Sequence, residues 1–146
     1  MPARTDIKNQ IVTVLKAATT IASTRVYIGR QNVLPDSATG FPVVYVYMLR
    51  EDAETLTLGS TGRHQTRTMM VGIDYLYKTT TPELIESGMD TACGLIEAAI
   101  SASTTLAGKC KDIVLTSTEY MYDGTEENPF GRAALQYRIT YFANEP

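Results

Sequence analysis

The sequence holds no tryptophan, one histidine, two cysteines and three phenylalanines in 146 residues. Each shortage argues against a class of function. A structural zinc site needs four clustered nitrogen or sulfur donors. One histidine, His64, and no Cys-x-x-Cys pair do not supply them. Cys93 and Cys110 are too few for a disulfide framework. Cys93 sits beside Ala92 in a helical pattern, which reads as a buried free thiol in a reducing compartment. No serine or cysteine has a nucleophile motif around it. Gly59-Ser60-Thr61-Gly62 lacks the lysine of a phosphate loop and lies between strands, not before a helix. No run approaches the roughly 20 apolar residues of a membrane span, and the first six residues carry no apolar signal. The expectation is a soluble protein that begins in the cytoplasm and has no membrane partner. Excess positive charge is missing too. Net charge is −3 and the pI about 5.1, so phosphate backbones repel the surface and broad nucleic-acid binding is not expected.

What is present is a patterned chain of ordinary apolar content, 44%. Its length suits one domain, residues 1–146, able to bury roughly 70% of its unfolded surface. Ile7, Ile11, Val14, Leu15, Ala18 and Ile21 recur at helical spacing and predict a helix over about Asp6 to Ala22. Arg25 to Ile28 reads as a short strand ended by Gly29, followed by a loop to Gly40 rich in turn formers. Phe41 to Arg50 reads as a strand whose run Val43 to Leu49 is apolar on both faces, as in a central strand. Thr81-Pro82-Glu83 opens a second helix, with Leu84, Ile85, Met89, Ala92, Leu95, Ile96, Ala99 and Ile100 as its buried stripe. Gly88 and Gly94 weaken that helix and are expected to let it approach the sheet closely. The chain closes on Thr116 to Tyr122 and Ala133 to Phe142, joined by an acidic turn. In the last strand Leu135, Tyr137, Ile139 and Tyr141 share one face. Ala134, Gln136, Arg138 and Thr140 share the other, which predicts a sheet with one wet side. The predicted fold is α+β in the order α-β-β-β-α-β-β. It is a two-layer sandwich of one mixed or antiparallel sheet with two helices on one face.

Between the middle strands the sequence predicts a projecting β-hairpin arm. Acidic Glu51, Asp52 and Glu54 lead into threonine-rich segments around the glycine turn, and Arg63 and Arg67 follow it. Arg63 and Arg67 share a strand face, since successive side chains alternate. Two readings stay open for them: a solvated edge, or ion pairs with the acids of a neighbouring copy. A polar hairpin is marginal alone. Glu51, Asp52, Glu54, Arg63 and Arg67 are therefore the candidate interface residues. His64, beside the turn, reads as an exposed side chain. Asp123, Glu126 and Glu127 read as a solvated turn, with loose binding of magnesium or calcium as the other reading. Tyr45, Tyr47, Tyr75, Tyr77, Tyr120, Tyr122, Tyr137 and Tyr141 fall in predicted strands, where half-buried rings suit interfaces and also follow plain strand propensity. No catalytic residue, cofactor or metal site is expected.

Four stretches together resemble the tail terminator proteins of long-tailed phages, also called minor tail protein U. They are residues 11–16 with Arg25-Val26-Tyr27-Ile28-Gly29-Arg30; Phe41 through Tyr47; the acidic arm with its glycine turn; and Tyr120 to Asp123 with Tyr137 to Tyr141. The resemblance spans nearly the whole chain as a pattern of elements, with no single diagnostic motif. It implies a structural, non-enzymatic virion protein at the head-proximal end of the tail, with a two-layer α/β sandwich fold. Such a protein assembles in the host cytoplasm as a homohexameric ring. The ring caps the tail tube protein, ends its polymerisation and offers a surface to the head-side connector protein, while DNA passes through the lumen without specific binding. The arm and terminal loop have their own lengths and charges, so individual contacts do not transfer. Two other classes remain: a different connector or completion subunit, and a small enzyme or ligand-binding domain.

Overall fold

A five-stranded sheet in the order β1-β2-β3-β5-β4 organises the chain. The computed structural model describes residues 3–18, 26–29, 42–59, 62–78, 83–102, 110–124 and 129–145. Its strands are β1 Val26–Ile28, β2 Val43–Gly59, β3 Gly62–Lys78, β4 Asp112–Gly124 and β5 Pro129–Glu145. The helices are α1 Ala3–Ala17 and α2 Glu83–Ser101. β1 runs parallel to β2, and every other pairing is antiparallel. The element order α-β-β-β-α-β-β and the α+β sandwich are those the sequence predicts.

α1 forms because Ile7, Ile11 and Leu15, four residues apart, make one apolar stripe, and all three are fully buried. Asp6 and Lys16 stand at the helix ends where the backbone dipole favours their charges. The expected extension of α1 to Ala22 lies outside the described residues, as does the Thr81-Pro82 start of α2. Ile85, Met89, Ala92, Cys93, Ile96 and Ile100 of α2 join the α1 stripe in one core, against Val44, Val46, Val71, Ile73, Leu135, Tyr137 and Ile139 of the sheet. Both helices therefore lie on one face. Opposite them, Val43, Tyr45 and Leu76 form a smaller buried cluster. Val43 to Val46 are buried on both faces, as the unbroken apolar run predicts.

Two glycines permit close approaches. A Cβ on Gly88 of α2 would stand 2.7 Å from the Tyr77 ring, so the helix closes on β3 only because none is present. Gly94 corrects the expectation: it is exposed, and nothing lies within 4 Å of where its Cβ would be. The close approach on the sheet side falls instead at Gly131 of β5, where a Cβ would meet the Met89 sulfur at 2.6 Å.

The arm also differs from expectation. It is not a two-stranded hairpin. β5 runs beside β3 as far as Glu145, opposite Arg63, so the arm is a three-stranded continuation of the sheet. The sequence predicts the last strand to stop at Phe142, because its alternation of apolar and polar residues fades there. Backbone pairing continues without it.

Candidate interaction surfaces

The base of the arm is built by a register shift. β2 pairs Met48 with Val71, then Arg50 with Met70, so Leu49 is the extra residue of a bulge. The bulge flips the parity of the strand. Glu51 thereby falls on the helix side with Met69 and Arg67, and Asp52 falls on the opposite side. The Tyr141 hydroxyl donates a hydrogen bond to Glu51 Oε1. Arg67 Nη1 lies 3.9 Å from the same oxygen, and both charged side chains are mostly buried. The bulge thus brings two of the candidate interface residues, Glu51 and Arg67, together inside one chain. Arg50 Nε lies 3.0 Å from Asp52 Oδ2, with both side chains well exposed. A pair so open to water contributes at most about 1 kcal/mol. Glu54 pairs by backbone with Thr66, and Arg63 stands between Leu58 and Glu145. The side chains of Glu54, Arg63, His64 and Asp123 lie outside the described residues, and so do Glu126 and Glu127.

The sheet face away from the helices carries a charged centre that the sequence reading missed. Asp74 is 1% exposed. It accepts a hydrogen bond from the Tyr47 hydroxyl at 2.9 Å, and Arg132 Nε lies 3.7 Å from its other oxygen. The outer end of the Tyr47 ring lies over Gly72, where a Cβ would stand 2.5 Å from it. The glycine is what lets the tyrosine reach the carboxylate. The signal in the sequence is a lone acid inside the apolar run 69–77. Past this centre, Leu49, Arg50, Asp52, Thr68, Met70, Gln136 and Arg138 line a shallow groove of about 530 Å³.

On the helix face, burial pushes the Cys93 thiol up in pKa, with Tyr120 hydrogen-bonded to it. Burial also pushes the Tyr137 hydroxyl far above its ordinary range, with Glu97 and Cys93 adding to the effect. The linkage sign follows. The folded chain holds the Tyr137 proton more tightly than the unfolded chain does. Its contribution is complete below about pH 10, the unfolded value, and is lost as pH rises toward the folded value. Denaturant midpoints should therefore fall from about pH 9, where the buried Cys93 thiol ionises more readily in the unfolded chain, and more steeply above about pH 10, where Tyr137 adds its share. Tyr137→Phe should flatten that drop by up to about 1.4 kcal/mol per pH unit. An unchanged alkaline slope in the variant contradicts the assignment.

Between α2 and β3 a cleft of about 330 Å³ is lined by Tyr75, Tyr77, Ser87, Gly88, Thr91, Ala92 and Leu95. Among the described residues, no three histidine, cysteine or acidic side chains gather to hold a metal ion. No helix there is long and apolar enough to cross a membrane. Tyrosine is used in strands throughout: all nine occupy described strand positions, from fully buried Tyr137 to exposed Tyr122.

No protein-family model matches the chain, and no curated protein does. Among solved structures, a similarity is found to a chain of the virion of a native gene transfer agent particle. Identity is 11% and the TM-score 0.40, over 91% of this chain and 93% of that one.

Proposed function

We propose that this chain is a structural virion subunit of a long-tailed phage, a tail terminator. Six copies form a ring that caps the tail tube, ends its polymerisation and presents the head-attachment surface, with DNA passing through unbound. Catalysis has no part in this role. The observation that carries the reading is the arrangement of the resembling stretches. Val26–Ile28, Val43 to Tyr47, the arm and Tyr137 to Tyr141 belong to β1, β2, β3 and β5, which lie side by side in one sheet. A sequence pattern scattered along the chain is thus one continuous run of neighbouring strands. The structural likeness at a TM-score of 0.40 adds no support.

A ring needs two different patches that meet. We place Glu51, Asp52, Glu54, Arg63 and Arg67 at subunit or tube contacts. Glu51 and Arg67 do so as a pair that stiffens the arm base. The mildly acidic balance keeps a lumen from gripping DNA.

The test is arrest of tube growth. Purified chain added to polymerising tail tube protein should shorten the tubes and appear by electron microscopy as a cap on their ends. Arg63→Glu should abolish the capping, with circular dichroism confirming that the variant is folded. Long, uncapped tubes with the wild-type chain defeat the proposal. Attachment to the head-side connector alone would indicate a completion subunit instead.

A further inference from the structure

We infer that successive copies of this chain meet face to face. The acidic, tyrosine-bearing patch formed by α2 and β4 of one copy seats in the arginine groove on the next copy, on its sheet face away from the helices. The inference rests on the ring reading for its second copy; the two patches come from the fold.

The acidic patch is made by a bulge. β4 pairs Leu115 with Tyr137 and then Ser117 with Gln136, so Thr116 is an extra residue and the parity of the strand flips. Unbroken alternation from Ile113 and Leu115 would turn Tyr120 and Tyr122 away from the helices. The flip sets both on the helix side instead, where Tyr120 is hydrogen-bonded with Cys93 of α2. Loss of solvation, then Cys93, Asp90 and Glu97, push the Tyr120 hydroxyl up to about 12. Loss of solvation, then Glu86 and Asp90, also raise that of Tyr122. The two rings still stand open to water, Tyr120 by 42% and Tyr122 by 56%. Glu86, Asp90 and Glu97 thus line one flank of α2 beside the tyrosines, as their helical spacing requires. α2 contains no lysine or arginine. Among the described residues no base pairs with these three acids.

The groove is made by the other bulge. The extra residue in β2 sets Leu49 and Arg50, neighbours in the chain, on the same side. There, with Met70, Gln136 and Arg138, they line the hollow of about 530 Å³. Leu49 is 43% exposed in it. Val114, also exposed, stands beside Arg138 across the β4–β5 ladder. Arg50 is paired with Asp52. Arg138 is exposed and makes no ion pair among the described residues.

The two patches complement each other in charge and polarity. One holds three carboxylates and no base beside two exposed rings. The other holds two guanidinium groups to one carboxylate around Leu49 and Met70. A tyrosine seated in a hollow beside an arginine has the make-up of a binding hot spot. A guanidinium over a tyrosine ring adds attraction once water is excluded. The acidic patch lies at the β4 end of the sheet on the helix side, and the groove crosses β2, β3 and β5 on the reverse. No copy can therefore satisfy itself. Two different patches meeting make a heterologous contact, the kind that closes into rings. The bulges, which hinder pairing between strand edges, here aim side chains at a neighbour's face.

Light scattering after gel filtration of the full chain tests the joint. Tyr122→Ser with Asp90→Ala should raise the concentration needed for assembly by about 100-fold, as loss of an interface anchor does. Arg138→Glu should do the same. All three side chains are exposed, so circular dichroism should show both variants folded. Mixed in equal amounts, the two monomeric variants should form dimers and stop there, because the mixture holds one intact patch of each kind. Asp90→Arg with Arg138→Glu in one chain reverses both charges and should assemble again. A variant that assembles at the wild-type concentration overturns the inference. So does a mixture or a charge reversal that stays monomeric, or a wild type that is monomeric throughout. Tube arrest separates the two claims. Tubes capped by chains whose variants still form rings remove the joint and leave the cap. Rings that need both patches yet ignore tube ends remove the cap and leave the joint.

Discussion

Asp74→Ala should lower the free energy of unfolding by about 3 kcal/mol, the low end of what is lost when one partner of a buried ion pair is removed. The low end applies because Arg132 is 19% exposed and its Nε lies 3.7 Å away, so water screens part of the attraction. The loss has two sources. The Tyr47 hydroxyl loses the Asp74 carboxylate as acceptor, and Arg132 Nε, buried and without a hydrogen bond among the described residues, loses the carboxylate oxygen 3.7 Å away. Tyr47→Phe should cost only about 1 kcal/mol, since it removes a donor without stranding a charge. Urea titration with a double-mutant cycle on Asp74 and Arg132 checks the argument. A coupling below a few tenths of a kcal/mol means the carboxylate does not depend on the arginine. A larger loss from Tyr47→Phe than from Asp74→Ala reverses the proposed order.

Asp74 also shows where sequence reasoning stops. Strand type and face were legible, because alternation in Leu135, Tyr137, Ile139 and Tyr141 states which side is dry, whereas the place of β5 between β3 and β4 was not. The α1 stripe was legible for the same kind of reason. Bulges were not. The extra residues at Leu49 and Thr116 shift parity without a composition signal, and the Thr116 hydroxyl settles its bulge by bonding to the Gln136 carbonyl, which is visible only once β4 and β5 are paired. That is why Glu51 and Asp52, adjacent in the chain, end on opposite faces with different partners. The third strand of the arm was hidden because backbone ladders need no apolar pattern. Asp74 was passed over because an acid in an apolar run is legible only with Tyr47 and Arg132 brought beside it. Local pattern fixes faces; long-range pairing fixes partners.

Leu135→Ala should lower stability by about 3 kcal/mol, within the usual range for a fully buried leucine, since it loses transfer energy and leaves a cavity. Leu135 is fully buried and pairs with Ile73 on one side and Thr118 on the other. It stands in the core that α2 covers, where a rigid sheet beneath and a helix above leave little room to collapse. In a chain of this size the melting point should fall by about 10 °C. Arg138→Ala, on the opposite face of the same strand, should cost less than about 0.5 kcal/mol, as exposed substitutions do. Ile73→Ala combined with Leu135→Ala should depart from the sum of the single losses, because the two side chains face each other and their cavities merge. Calorimetry of the four variants decides it. Equal losses at Leu135 and Arg138 would mean that both faces of β5 are packed alike, and a sheet dry on both sides would leave no face of this strand for another protein to cover.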